Sequence, residues 1–149
     1  ALDRAALRLR ELGASRALLN FGGQILALDP PQGQDGWAVA ILSPSGLSSA
    51  DEGSIFAVEA LSNISLACSG AMHRGAHILD PQTGEPATIP LLTAAYATDA
   101  MTADAWSTAG AITPDAILRG IAEAPALRAI GRLESAPLPA PDSLKNWSL

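Results

Sequence analysis

Residues 17–28 read Ala17-Leu18-Leu19-Asn20-Phe21-Gly22-Gly23-Gln24-Ile25-Leu26-Ala27-Leu28, two short apolar runs parted by a glycine pair. Each run reads as a strand. The glycine pair has two readings, a two-residue hairpin turn that needs positive φ or a bulge where a ligand approaches the backbone. Strand-like runs recur at Trp37 to Leu42, Ile55 to Leu61, Ile64 to Cys68 and Leu127 to Leu133. Between them lie the Pro/Gly/Asp-rich loop Asp29 to Gly36 and a small, polar connection from Ser45 to Gly53. In Ile55 to Leu61 both alternating sets are mainly apolar, which predicts a strand covered on both faces. Cys68 falls in an apolar run and is expected to be a buried, inert thiol.

Helical periodicity places Leu2, Ala5, Ala6, Leu9 and Leu12 on one face, with Gly13 as the stop. Ala1 opens this pattern with no capping residue before it, so the natural chain is expected to begin earlier. A second helix is expected through Asp99 to Thr108. A third runs from an N-cap at Thr113, with Pro114 at its first turn, to about Glu123. From Ser135 the chain is a proline-rich tail. The total is about six strands and three helices, with strands often consecutive, which predicts an α+β fold with a largely antiparallel sheet.

Apolar residues make up 48% of the 149, enough for one compact domain with its own core. The net charge is −6 and the nine basic residues form no cluster, which argues against a nucleic-acid partner. A single cysteine excludes an internal disulfide. No apolar run reaches bilayer length, and Ala1 does not open a signal peptide.

Two dense motifs carry chemistry. The first is His77-Ile78-Leu79-Asp80-Pro81-Gln82-Thr83-Gly84-Glu85-Pro86, an imidazole followed by a tight turn. His77 is either a proton-transfer group at a strand end or a structural histidine bonded to a loop carbonyl. Asp80 is explained by the turn. The second is Asp99-Ala100-Met101-Thr102-Ala103-Asp104-Ala105-Trp106-Ser107-Thr108, joined to the first through the apolar run Ile89 to Ala97. Asp104 and Thr108 stand one helical turn apart, so their oxygens can converge on a hard cation such as Mg²⁺. The alternative is a carboxylate favoured by the helix dipole and a threonine bonded back to a carbonyl. No Walker loop, dinucleotide fingerprint or nucleophile elbow is present.

Together the two motifs resemble those of the FAD:protein FMN transferases, the ApbE-like flavin transferase family. His77 to Pro86 is similar to its His-Ile-(Ile/Leu)-Asp-Pro-x-Thr-Gly-x-Pro segment. Ala103 to Ala109 is similar to its Ala-Asp-Ala-x-x-Thr-Ala segment. Asp3-Arg4-Ala5 resembles the helix after the family's lysine-glycine motif, Asn20-Phe21-Gly22-Gly23 its Asn-x-Gly-Gly-Asp strand, and Ser69-Gly70 its Ser-Gly turn. The resemblance runs from residue 1 to about residue 134 and implies the C-terminal, T-fold-like half of such a domain, with 135–149 as a tail.

The resemblance further implies Mg²⁺-dependent transfer of the FMN phosphoryl group of FAD to a threonine or serine of an acceptor flavoprotein subunit. Asp104 and Thr108 would hold Mg²⁺, and His77 would be the general base. Ile78 would meet the flavin through its backbone, with Gly22, Gly23, Ser69 and Gly70 also on the cofactor side. A bacterial periplasmic or cell-envelope location is implied as well. Three features depart from the family pattern: its N-terminal half is absent, Gln24 stands where aspartate is usual, and the loop from Gly70 to His77 is short. These leave room for completion by a second chain or the absent half. They also leave room for a non-catalytic flavin-binding or assembly subunit, or for an FAD pyrophosphatase releasing FMN and AMP.

Overall fold

Helix α1 (Leu2–Glu11) ends as Gly13 predicts. Gly13 takes φ 84°, its N–H donates to the Arg10 carbonyl at 3.0 Å, and the Ala14 N–H donates to the Leu9 carbonyl at 2.9 Å. These two bonds close a Schellman motif on carbonyls that would otherwise lack partners. The structure, a computed structural model of the chain, describes residues 1–42, 55–70, 77–86, 92–112 and 127–130. Only Leu2 and Ala6 of α1 are buried, against Leu26, Leu28 and Ala100; Ala5 and Leu12 face solvent. The buried stripe is narrower than the periodicity predicts because the helix rests on one small patch.

The glycine pair forms the hairpin. Strands β1 (Leu18–Phe21) and β2 (Gln24–Ala27) pair antiparallel with Phe21 opposite Gln24. Gly22 and Gly23 have φ of 63° and 93°, the signature of a type I′ turn, which the strand twist favours and L-residues with side chains resist. The Asn20 carboxamide oxygen accepts the Gly23 N–H at 3.2 Å. The bulge reading is not what the backbone adopts.

Strands β3 (Trp37–Leu42) and β4 (Ile55–Leu61) take the predicted bounds and pair as a separate two-stranded ribbon. Val39, Ile41 and Leu61 point into the core, while Ala38, Ala40 and Val58 point out. Ile55 and Val58 are each 62% exposed, so β4 is open on one face, contrary to the cover on both faces that its mainly apolar pattern predicts. Among the described residues nothing covers the other face of this two-stranded ribbon. Gly36 leads into β3 where a Cβ would lie 2.6 Å from the Ala60 carbonyl carbon, so glycine permits that close approach.

The main sheet has the order β1-β2-β5-β6-β7, antiparallel throughout, with β5 (Ile64–Ser69), β6 (Leu92–Ala97) and β7 (Leu127–Ile130). The apolar run Ile89 to Ala97 reads in the sequence only as a connector between the two motifs. Residues Leu92 to Tyr96 instead form a strand buried on both faces. One face, through Ala27, Leu66, Ala94 and Tyr96, packs on the ribbon. The opposite face carries the small residues Ser65, Ala67, Thr93 and Ala95 and receives helix α2 (Ala100–Ile112). That helix buries Ala100, Ala103, Ser107, Gly110 and Ala111, so small side chains meet small side chains and the helix lies close to the sheet.

The architecture is therefore α+β and largely antiparallel, with seven strands and two helices among the described residues. The helix expected from Thr113, the 45–53 connection and the proline-rich tail lie outside the described residues. No helix among the described residues is long and apolar enough to cross a membrane.

Candidate functional site

Helix α2 carries the candidate cation ligands, and its start is fixed from two directions. Asp99 is the local N-cap, its Oδ1 accepting the Thr102 N–H at 2.8 Å. Asp3, 97 positions away on α1, accepts the Ala100 N–H at 2.7 Å through Oδ1 and the Met101 N–H at 3.1 Å through Oδ2. Two carboxylates thus satisfy the first three N–H groups of α2 and complement the positive end of its dipole. Gln24, directly after the turn of the β1–β2 hairpin, donates its side-chain N–H to the Ala100 carbonyl. The residue that departs from the family pattern serves here as a strut between hairpin and helix.

Further along α2, Asp104 and Thr108 are both exposed and one turn apart, as their spacing predicts. Ser69, at the end of β5, faces the same helix. Its Oγ lies 3.2 Å from Thr108 Oγ1 and 2.7 Å from Ser107 Oγ. Ser107 is fully buried and donates its hydroxyl proton to the Asp104 carbonyl at 2.9 Å. Ser69 and Thr108 are therefore brought together, and Ser107, which sequence reasoning passed over, joins them. Its signal was present in the sequence: a polar residue on the small-residue stripe of α2, three positions from Asp104. Gly70 follows Ser69, half-buried, at the strand end.

All side-chain donors at this spot are oxygens. Among the described residues no three His, Cys, Asp or Glu side chains gather as a metal cluster. A carboxylate and a hydroxyl suit a hard cation that completes its shell with water or phosphate oxygens.

The first motif forms a closed loop. Leu79 and Pro86 bridge antiparallel, the Asp80 N–H donates to the Glu85 carbonyl at 2.9 Å, and the Gly84 N–H donates to the Asp80 carbonyl at 2.8 Å. Asp80 Oδ1 accepts the Gln82 N–H at 2.8 Å, the Asx-turn role expected of it. His77 enters this loop with its side chain exposed, and Ile78 is buried. Gly22 and Gly23 stand apart from the hydroxyl cluster, at the tip of the edge hairpin.

Cys68 corrects an expectation. Its side chain reaches solvent, although the surrounding protein still keeps the thiol partly out of water and pushes it up to about 11. A cavity of about 260 Å³ opens beside Asp3, Arg10, Leu28, Asn63 and Asp99. It lies at the start of α2, about 13 Å along the helix axis from Thr108, and contains none of the hydroxyl cluster.

With this geometry in hand, three likenesses stand out. A curated FAD:protein FMN transferase of Klebsiella pneumoniae is 30% identical over 121 residues, covering 72% of this chain and 32% of that protein. The crystal structure of the ApbE protein of Thermotoga maritima superposes with a TM-score of 0.70 at 27% identity, covering 84% of this chain and 43% of that one. The flavin transferase ApbE of Vibrio cholerae gives a TM-score of 0.67 at 22% identity, a likeness of fold over 80% of this chain and 40% of that one. The chain thus spans about a third of the curated relative. Residues 1–130 match the ApbE family, and on that match the chain belongs to the ApbE family.

Proposed function

We propose that this chain carries the cation-binding and acceptor-activating part of an Mg²⁺-dependent FAD:protein FMN transferase, within residues 1–134. The observation that carries the reading is the exposed Asp104–Thr108 pair with Ser69 Oγ at 3.2 Å from Thr108 Oγ1, all oxygen donors on one face. Asp104 and Thr108 would hold Mg²⁺, which supplies charge neutralisation at the FAD pyrophosphate. Ser69 and Gly70 border that place, and the backbone of Ile78, whose side chain is buried, is left to meet the flavin. Gly22 and Gly23 would border FAD from the hairpin side.

In the reaction an acceptor Thr or Ser oxygen forms a bond to the FMN phosphorus, and the bond from that phosphorus to the bridging oxygen breaks. AMP leaves with the electron pair. His77, exposed at the mouth of its loop, takes the acceptor hydroxyl proton. Phe21, paired across the hairpin with Gln24, is 68% exposed, and Met101, next to Ala100, is 74% exposed. Further polypeptide, in the same or a second chain, would cover them and complete the FAD site. The family's setting implies a bacterial periplasmic or envelope location.

The test is flavin fluorescence on an acceptor subunit after incubation with FAD and Mg²⁺. Transfer is expected to fall at least a hundredfold in Asp104→Ala and His77→Ala; unchanged transfer in both would remove the assigned roles. Gln24 favours a second reading, a non-catalytic flavin-binding or assembly subunit, because its side chain is committed to the Ala100 carbonyl. Flavin binding with no transfer at saturating Mg²⁺ marks that case. FMN and AMP released without acceptor marks an FAD pyrophosphatase.

A further inference from the structure

We propose that Ser107 is a positioning residue that fixes the direction of a three-hydroxyl relay, so that Thr108 Oγ1 offers its lone pairs outward to the cation. The proposal rests on the reading of Asp104 and Thr108 as cation ligands.

The relay has three contacts and three protons. Ser107 Oγ is 2.9 Å from the Asp104 carbonyl oxygen, which can only accept. The single Ser107 proton is committed to that hydrogen bond. The 2.7 Å contact between Ser69 Oγ and Ser107 Oγ must then use the Ser69 proton. The 3.2 Å contact between Ser69 Oγ and Thr108 Oγ1 must in turn use the Thr108 proton. Only this one direction satisfies all three contacts at once. Its consequence falls at the exposed end: Thr108 Oγ1 spends its proton inward, and both its lone pairs face out. A hydroxyl whose proton pointed outward would present a positive edge to a cation.

The burial pattern supports this direction. Ser107 is fully buried and Thr108 is exposed, so the chain runs from a carbonyl inside the helix–sheet seam to an oxygen in solvent. The same helical turn also supplies Asp104, whose backbone carbonyl ends the relay while its side chain is exposed. Remove the Ser107 hydroxyl and Ser69 loses its acceptor. The Ser69 proton is then free to turn to Thr108 Oγ1 and occupy a lone pair meant for the cation.

The experiment is Mn²⁺ binding to the full 149-residue chain, read from the loss of the free-ion electron paramagnetic resonance signal. No FAD, acceptor or turnover is required. Ser107→Ala is expected to bind Mn²⁺ about tenfold more weakly, as loss of partners behind a ligand does elsewhere. Ser69→Ala, which cuts the relay at its middle, should do the same and serves if Ser107→Ala fails to fold. Because Ser107 acts through Thr108, the pair Ser107→Ala/Thr108→Val should bind no more weakly than Thr108→Val alone. Parent-like affinity in Ser107→Ala and Ser69→Ala, or a double variant that loses the product of the two single losses, overturns the relay. Equal binding by the parent and Asp104→Asn, or none by either, overturns the cation reading itself and the relay with it.

Discussion

Asp3→Ala isolates a cap that acts across the whole fold. Asp3 is the acceptor for both the Ala100 and Met101 N–H groups, at 2.7 and 3.1 Å, and the Ala100 bond is partly buried. Losing a side-chain cap bond costs about 1 kcal/mol, and a carboxylate at a helix N-terminus adds roughly 0.3–1 kcal/mol through the dipole. Two such bonds and one charge give a loss of about 2–3 kcal/mol. For a chain of this size that lowers the thermal midpoint by roughly 5–10 °C. Asp3→Asn keeps one acceptor oxygen and should lose about half as much. Arg4→Ala, next along α1 and exposed, should shift the midpoint by less than about 0.5 kcal/mol equivalent. Circular dichroism melting gives the midpoints, and amide exchange gives the location: Ala100 and Met101 should exchange faster in Asp3→Ala while β5 amides keep their protection. A midpoint within 1 °C of the parent, or unchanged exchange at those two amides, would refute the capping argument.

Two further outcomes follow from single side chains. Thr93 is fully buried on the sheet face that receives α2, and its hydroxyl has no hydrogen-bond partner among the described residues, so Thr93→Val should raise stability by about 1 kcal/mol in a denaturant titration. Cys68, pushed up to about 11 by desolvation, should react with iodoacetamide at pH 8 about tenfold more slowly than an unperturbed thiol. Its thiolate is about a hundredfold scarcer, and its greater intrinsic nucleophilicity recovers part of the difference. The folded state also holds this proton more tightly than the unfolded chain does. The thiol's contribution to stability is therefore intact below pH 9 and is lost as pH rises towards about 11. A titration midpoint near 9, read from thiolate absorbance, would contradict both statements.

Local chemistry was legible where local forces decide. The Gly22-Gly23 turn, the Gly13 stop, the Asp80 turn and both ends of β3 and β4 follow from residues within a few positions of one another. Strand β6 was not legible, because Leu92 to Tyr96 is buried on both faces and its apolar run has no alternation to read. The open face of β4 was hidden for the converse reason: an apolar pattern says what a face tolerates, not which layer covers it. Asp104 and Thr108 announce themselves by spacing on one helix. Their support does not, since Asp3 caps α2 from 97 positions away and Ser107 meets Ser69 only once β5 lies beneath the helix.

The seam of small side chains between α2 and the sheet has a mechanical consequence. Interlocking ridges and grooves are what normally stop a helix from sliding along its partner, and alanine, serine and glycine make shallow ridges. The seam resists lifting of α2 but offers little grip along its axis. Axial register must then be set by the polar pins: the Asp3 and Asp99 bonds at one end, and the Ser69–Ser107 contact in the middle. The helix behaves as a rod in a smooth channel, and where Asp104 and Thr108 come to rest is decided by its clamps.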